Sequence, residues 1–135
     1  MVFEASVALA WCVDDEVTPD LDALLVLAQD LGIWVPGLWH LEVANALKVA
    51  VRRRRLVPKR IAQSLALLAL ANLHVDEDTA RRAWSPTLAL SNRHGLTFYD
   101  AAYLELALRR QPPLASLDAD LRAAAAAEGV ISLPA

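Results

Sequence analysis

The chain has 135 residues, 56% apolar and 21% charged, with four glycines and a formal net charge of −3. That length suits one domain over residues 1–135, and the composition excludes a disordered tail, a linker or a collagen-like repeat. A lone Cys12 excludes an intramolecular disulfide, and no Cys/His cluster has zinc-site spacing, so a reducing, cytoplasmic setting is expected.

Val2–Glu4 is a short apolar strand ending in an acid, and Ser6 opens a helix to about Val13. Thr18-Pro19-Asp20 is a helix start, with an N-cap, a proline in the first turn and an acid beside it. That helix runs to Leu31 and stops at Gly32. Ile33–Val35 is a second strand, closed by Pro36-Gly37. A long helix from Leu38 to about Arg55 follows, and Pro58 opens another through Ala71. Leu73–Val75 reads as a third strand. The next helix begins at Asp78 or Thr79, and Pro86 should kink or break it. Thr97 caps a helix from Phe98 to about Arg109. Leu114–Leu117 is a strand, Asp118 opens the last helix, Gly129 ends it, and Val130–Leu133 is the final strand.

Mean hydropathy is +0.33, so a membrane span has to be considered. The longest charge-free apolar stretch is Ile61–Val75, 15 residues interrupted by Gln63, Ser64 and Asn72. A spanning helix needs roughly 20 apolar residues. Glu4 stands where a signal peptide carries positive charge, so neither a span nor a secretory signal is expected. The surplus of apolar surface points to an oligomer or partner interface.

Apolar strands separated by helices predict an α/β fold with a parallel sheet covered on both faces. Right-handed crossovers bring the C-terminal ends of the strands to one edge, where ligands bind in such sheets. Glu4 and Asp118 end strands, while Glu42 and Asp100 sit near the starts of helices rising from that edge. Four carboxylates gathered there repel one another unless cations are present. Oxygen ligands select Mg²⁺ or Mn²⁺, and such ions support in-line phosphodiester cleavage. Each acid alone has a structural alternative. Thr97-x-x-Asp100 resembles a capping box, Asp118 suits an N-cap, and Asp120 suits a first helical turn. Glu4 could be an exposed strand-end acid and Glu42 could pair with an arginine. A phosphatase or nucleotide-binding domain fits the fold class, but the chain has no glycine-rich phosphate loop.

In chain order these segments resemble a PIN-domain ribonuclease, specifically a VapC-type toxin of a type II toxin–antitoxin system. The segments are Glu4–Trp11, Pro36–Leu47 with Glu42-x-x-Asn45, Leu96–Tyr103 around Asp100, and Leu114–Asp118. The resemblance implies a PIN-like three-layer α/β/α sandwich with a central, mainly parallel sheet. It implies a Mg²⁺- or Mn²⁺-dependent endoribonuclease that cleaves RNA through metal-activated water. It also implies a homodimer and a cognate VapB-like antitoxin. By matching position, Glu4, Glu42, Asp100 and Asp118 form the catalytic and metal-binding set, with Asp120 as a fifth metal contributor. Ser6, Asn45 and Thr97 would orient the carboxylates or waters. The family's first acid is usually Asp, and Glu4 departs from that pattern. The alternative is therefore a catalytically attenuated PIN-like module that binds RNA or protein.

Arg52, Arg53, Arg54, Arg55, Lys59 and Arg60 place six positive charges within nine residues. They read either as a contact for RNA or a partner, or as a solvated helix turn. Trp11, Trp34, Trp39 and Trp84 read as core or interface residues, and His40, His74 and His94 as surface or hydrogen-bonded ones.

Overall fold

The computed structural model describes residues 1–13 and 16–135. Among them, β1 (Val2–Phe3), β2 (Ile33–Pro36), β3 (Leu73–Asp76), β4 (Leu114–Ala115) and β5 (Ser132–Leu133) form one sheet of order β3-β2-β1-β4-β5. Every neighbouring pair is parallel. The register sets Val2 opposite both Trp34 and Leu114, and Pro36 opposite Asp76.

The helices are α1 (Ala5–Cys12), α2 (Pro19–Leu31), α3 (Trp39–Arg52), α4 (Lys59–Ala69), α5 (Thr79–Arg82), α6 (Leu88–His94), α7 (Phe98–Arg110) and α8 (Ala119–Ala127). α1 packs against α3 and α4, while α7 lies against β1, β2 and β4 beside α6 and α8. The sheet is thereby covered on both faces, as a parallel sheet of apolar strands requires. Phe3, Met1, Leu47, Leu104 and Tyr103 are among the largest fully buried side chains. No helix among the described residues is long and apolar enough to cross a membrane.

Local chemistry sets most of the element ends. Thr18 accepts a hydrogen bond from the Leu21 amide at 3.2 Å, Pro19 takes the first helical position, and Gly32 stops α2 at φ 77°. α3 ends at Arg52, short of the expected Arg55. The Arg54 and Arg55 amides bond back to the Val51 and Ala50 carbonyls, each at 2.9 Å, and Arg54 sits at φ 59°. This is the Schellman closure that glycine usually makes, reached here by an arginine at a cost of about 1–2 kcal/mol. Pro86 interrupts its helix as expected, through the π-helical segment Ala83–Thr87 between α5 and α6. Proline has no N–H for the usual backbone bond, and the wider turn accommodates it.

The order β3-β2-β1-β4-β5 positions the site. The chain leaves β1 toward β2 and β3, then crosses back to lay β4 on the other side of β1. The crevice outside the C-terminal ends of β1 and β4 is a topological switch point, the place where open parallel sheets bind ligands.

Candidate active site

Glu4 follows β1 directly and caps α1. Its carboxylate accepts from the Ser6 amide at 2.9 Å, from the Ser6 hydroxyl, and from the Ser116 hydroxyl at 3.1 Å. It is only 5% exposed. Asp118 stands at the matching place after β4. It caps α8 through Leu121 at 2.8 Å, and its own amide donates to the Ser116 hydroxyl at 3.0 Å. The Ser6 hydroxyl also accepts from the Leu117 amide at 3.0 Å. Two serines therefore tie the ends of β1 and β4 together around one buried carboxylate.

Glu42, in the first turn of α3, is half-buried, and its Oε1 accepts the Tyr103 phenol proton at 2.9 Å. Asp100 lies in the first turn of α7, where the Thr97 hydroxyl accepts from its amide at 3.1 Å. Asp120 is exposed in the first turn of α8. The fold brings these acids within electrostatic reach of one another. Asp100 acts on Glu4 and Glu42, Glu4 acts on Glu42, and Asp118 and Asp120 act on Asp100.

Burial, above all, pushes the Glu4, Glu42 and Asp100 carboxyls above the usual carboxylate range, and the neighbouring acids add to it. Ser6 and Ser116 at Glu4, Tyr103 at Glu42 and Thr97 at Asp100 pull the other way by bonding the ionised form. Among the described residues none of the five acids forms an ion pair.

Asp76 is the contrasting case. It ends β3, is 3% exposed, and is gripped by Arg109 at 3.1 and 2.7 Å. Burial works against its ionised form, but the Arg109 bonds and charge, with help from Thr79 and Arg110, hold its carboxyl below the usual range. Arg109 also binds Glu105 at 2.9 Å. One strand-end acid is neutralised within the fold, while those at the switch point are not.

An all-carboxylate donor set with unbalanced charge suits a hard divalent cation. Among the described residues no three of these side chains are gathered closely enough to hold an ion by themselves. Mg²⁺ does not need that, because it keeps several waters and uses one or two carboxylates with substrate phosphate. The residues present fit such an ion. Clefts of about 340 and 410 Å³ lie elsewhere, against Pro112 and Ile131 and against Arg82 and Pro86, and neither takes in one of the five acids.

Of the residues expected to orient the acids, Ser6 and Thr97 make such contacts. Asn45 is exposed and hydrogen-bonds nothing among the described residues. Arg52 lies ten residues along α3 from Glu42, about 15 Å of helix. Arg52, Arg53, Arg54 and Lys59 are exposed, whereas Arg55 pairs with Glu16 and Arg60 is partly buried. The arginine run is thus a separate surface. Trp39 is buried, Trp11 and Trp34 pack against the core, and Trp84 is 89% exposed. His40 meets Trp39 edge-on, His74 stacks on Trp34, and His94 contacts Glu128 at 2.7 Å.

Sequence reasoning missed Ser116, Tyr103 and Asp76. Ser116 carried a signal, as a lone hydroxyl in an apolar strand two residues before Asp118. Tyr103 did too, being one helical turn from Asp100 and so on its face.

Residues 1–127 match the family described as the PIN domain. A solved structure, that of PAE2754 from Pyrobaculum aerophilum, is similar with a TM-score of 0.63 and 21% identity, over 98% of this chain and 87% of that one. No curated protein matches the chain.

Proposed function

The chain belongs to the PIN domain family, whose members are generally metal-dependent nucleases, and on that premise we propose that it is a Mg²⁺- or Mn²⁺-dependent endoribonuclease of the VapC toxin type. The observation that carries this reading is the set of unpaired carboxylates at the switch point between β1 and β4. A phosphodiester backbone would meet strong repulsion there without a cation.

In this reading Glu4, Glu42, Asp100 and Asp118 would hold the divalent cation, one or two of them directly and the others through its waters, and Asp120 would contribute from the rim. When bound, that cation supplies charge stabilisation to the phosphodiester and an activated water. The protein's share is orientation. Ser6 and Ser116 fix the Glu4 carboxylate with both oxygens engaged, so the extra methylene of Glu over Asp is taken up by capping α1. Thr97 sets the first turn of α7 that presents Asp100. Asn45, exposed one turn along α3 from Glu42, is open to a water or a phosphate oxygen. No nucleophilic side chain is needed, and no covalent enzyme intermediate forms.

Arg52, Arg53, Arg54, Arg55, Lys59 and Arg60 are assigned to the RNA backbone or a protein partner, because exposed cations attract phosphate without choosing sequence. A homodimer fits the exposed Leu41, Leu70 and Trp84, at 79%, 83% and 89%. The toxin assignment brings a VapB-like antitoxin that blocks the acidic edge. The lone buried Cys12 suits the reducing cytoplasm.

The test is cleavage of a mixed RNA pool by the purified chain with Mg²⁺, Mn²⁺ or EDTA, beside Asp100→Asn. The expected result is metal-dependent cleavage that EDTA abolishes and that Asp100→Asn lowers about 100-fold or more, with the fold intact by circular dichroism. Undiminished cleavage by Asp100→Asn overturns the assignment.

A further inference from the structure

We propose that Tyr103 is a positioning residue, whose phenol holds one oxygen of Glu42 so that the other is presented to a divalent cation. This rests on the reading that Glu42 is a cation ligand.

Tyr103 is 0% exposed and is among the largest fully buried side chains of the protein. It lies on α7 among Ala101, Ala102, Leu104 and Leu106, all buried. Phenylalanine would fill that space equally well, so the hydroxyl has no packing role. Among the described residues it donates to Glu42 Oε1, 2.9 Å away on α3 and 61 residues distant in sequence. The Ala5 backbone amide lies near the same phenol oxygen, so the hydroxyl sits where α1, α3 and α7 meet. A carboxylate can only accept, so the phenol hydroxyl is the donor of this bond.

Glu42 depends on this one partner for its orientation. Glu4 has three donors and Asp118 a backbone amide, whereas Tyr103 is the hydrogen-bond partner of Glu42 among the described residues, and its Oε2 accepts none. A glutamate has three side-chain torsions to fix, and metal affinity depends on holding the ligand near its productive geometry. Asp100 and Tyr103 are one turn apart on α7, so a single rigid helix places one acid and orients another.

The experiment is Mn²⁺ binding by calorimetry to the full chain, to Tyr103→Phe, to Glu42→Gln and to the double variant. Removing such a supporting contact typically weakens metal affinity 10–100-fold, and about that loss is expected for Tyr103→Phe. In the Glu42→Gln background the same change should add less than about twofold, because the two residues act as one unit. Unaltered affinity in Tyr103→Phe overturns the proposal. An equal loss in both backgrounds also overturns it, since that marks general damage to packing. Absence of Mn²⁺ binding to the unaltered chain overturns the carboxylate reading and the positioning role with it. A second readout leaves Tyr103 unchanged. Its hydroxyl proton should exchange measurably faster in Glu42→Ala than in the unaltered chain, and equal exchange counts against the proposal.

Discussion

At the scale of single residues, the site is a balance between burial, which disfavours carboxylate charge, and hydroxyls that favour it. Ser116 is the clearest instance. It is fully buried, donates to Glu4 at 3.1 Å and accepts from the Asp118 amide at 3.0 Å. Ser116→Ala leaves a carboxylate short of a donor and an amide without its acceptor, so a loss of about 1–3 kcal/mol is expected. The loss should be larger at pH 8 than at pH 5, because the missing bond is to the ionised form of Glu4. Urea denaturation at the two pH values checks this, and equal losses would mean that the bond to Glu4 contributes nothing and that the serine acts through the Asp118 amide and packing. Such a role is only partly visible in a sequence. Thr18, Thr97 and Asp118 could be read as caps because their partners lie three residues away. Ser116 reaches Glu4 across 112 residues, and no local pattern encodes that.

At the scale of elements, α7 matters most. Its N-terminal turn carries Asp100 and, one turn on, Tyr103. Its C-terminal turns carry Arg109, clamped between Asp76 of β3 and Glu105, and Arg110, whose guanidinium lies 3.4 Å over the Trp34 ring of β2. The helix is thus anchored to the edge of the sheet at one end while it presents chemistry at the other. Arg109→Met leaves Asp76, whose side chain is 1% exposed, and Glu105 without their closest cation, with only Arg110 at 3.6 Å and Arg82 at 3.7 Å remaining. A stability loss of about 3–5 kcal/mol is expected, measured by thermal unfolding. A loss below about 1 kcal/mol would mean that the cluster is solvated and holds nothing. The sequence shows that Asp76 follows a strand. It does not show that an arginine 33 residues later cancels its charge, and that cancellation separates a structural acid from a candidate ligand.

For the whole molecule, the acids of the site oppose folding at neutral pH. Glu4, Glu42 and Asp100 have raised carboxyl pKa values in the folded state, mainly from burial. The folded state therefore binds more protons than the unfolded one across that range, and stability falls as pH rises through the raised values. Asp76, with burial outweighed by its arginine contacts, and Glu128, through its bonds to His94 and Arg93, are lowered instead. Their contribution is present above the usual carboxylate range and is lost as pH falls through the lowered values. The metal-free protein should be most stable in mildly acidic solution and should lose Tm toward pH 8. Mg²⁺ at about 100 times its Kd should restore about 2.7 kcal/mol at pH 8, and little of that should remain in Asp100→Asn. Calorimetric unfolding from pH 4 to 8 checks the sign, and a Tm rising steadily to pH 8 contradicts it. The arginine run lies outside this balance, at the far end of α3.

By itself, the sequence determined the alternation of strands and helices, most helix starts, the parallel sheet and the four segments that resemble the PIN domain. Each depends on contacts within a few residues or on the period of apolar residues, and both are written locally. The end of α3 at Arg52 is not marked in the sequence, because Arg54 takes a conformation that glycine usually marks. Only the tertiary structure decided which acids stay unpaired, that Tyr103 meets Glu42, and that two serines join the ends of β1 and β4. The physical reason is that charge pairing and hydrogen bonding act through space over about 3 Å. Partners 33, 61 and 112 residues apart in the chain come within that range only after the sheet has ordered its strands.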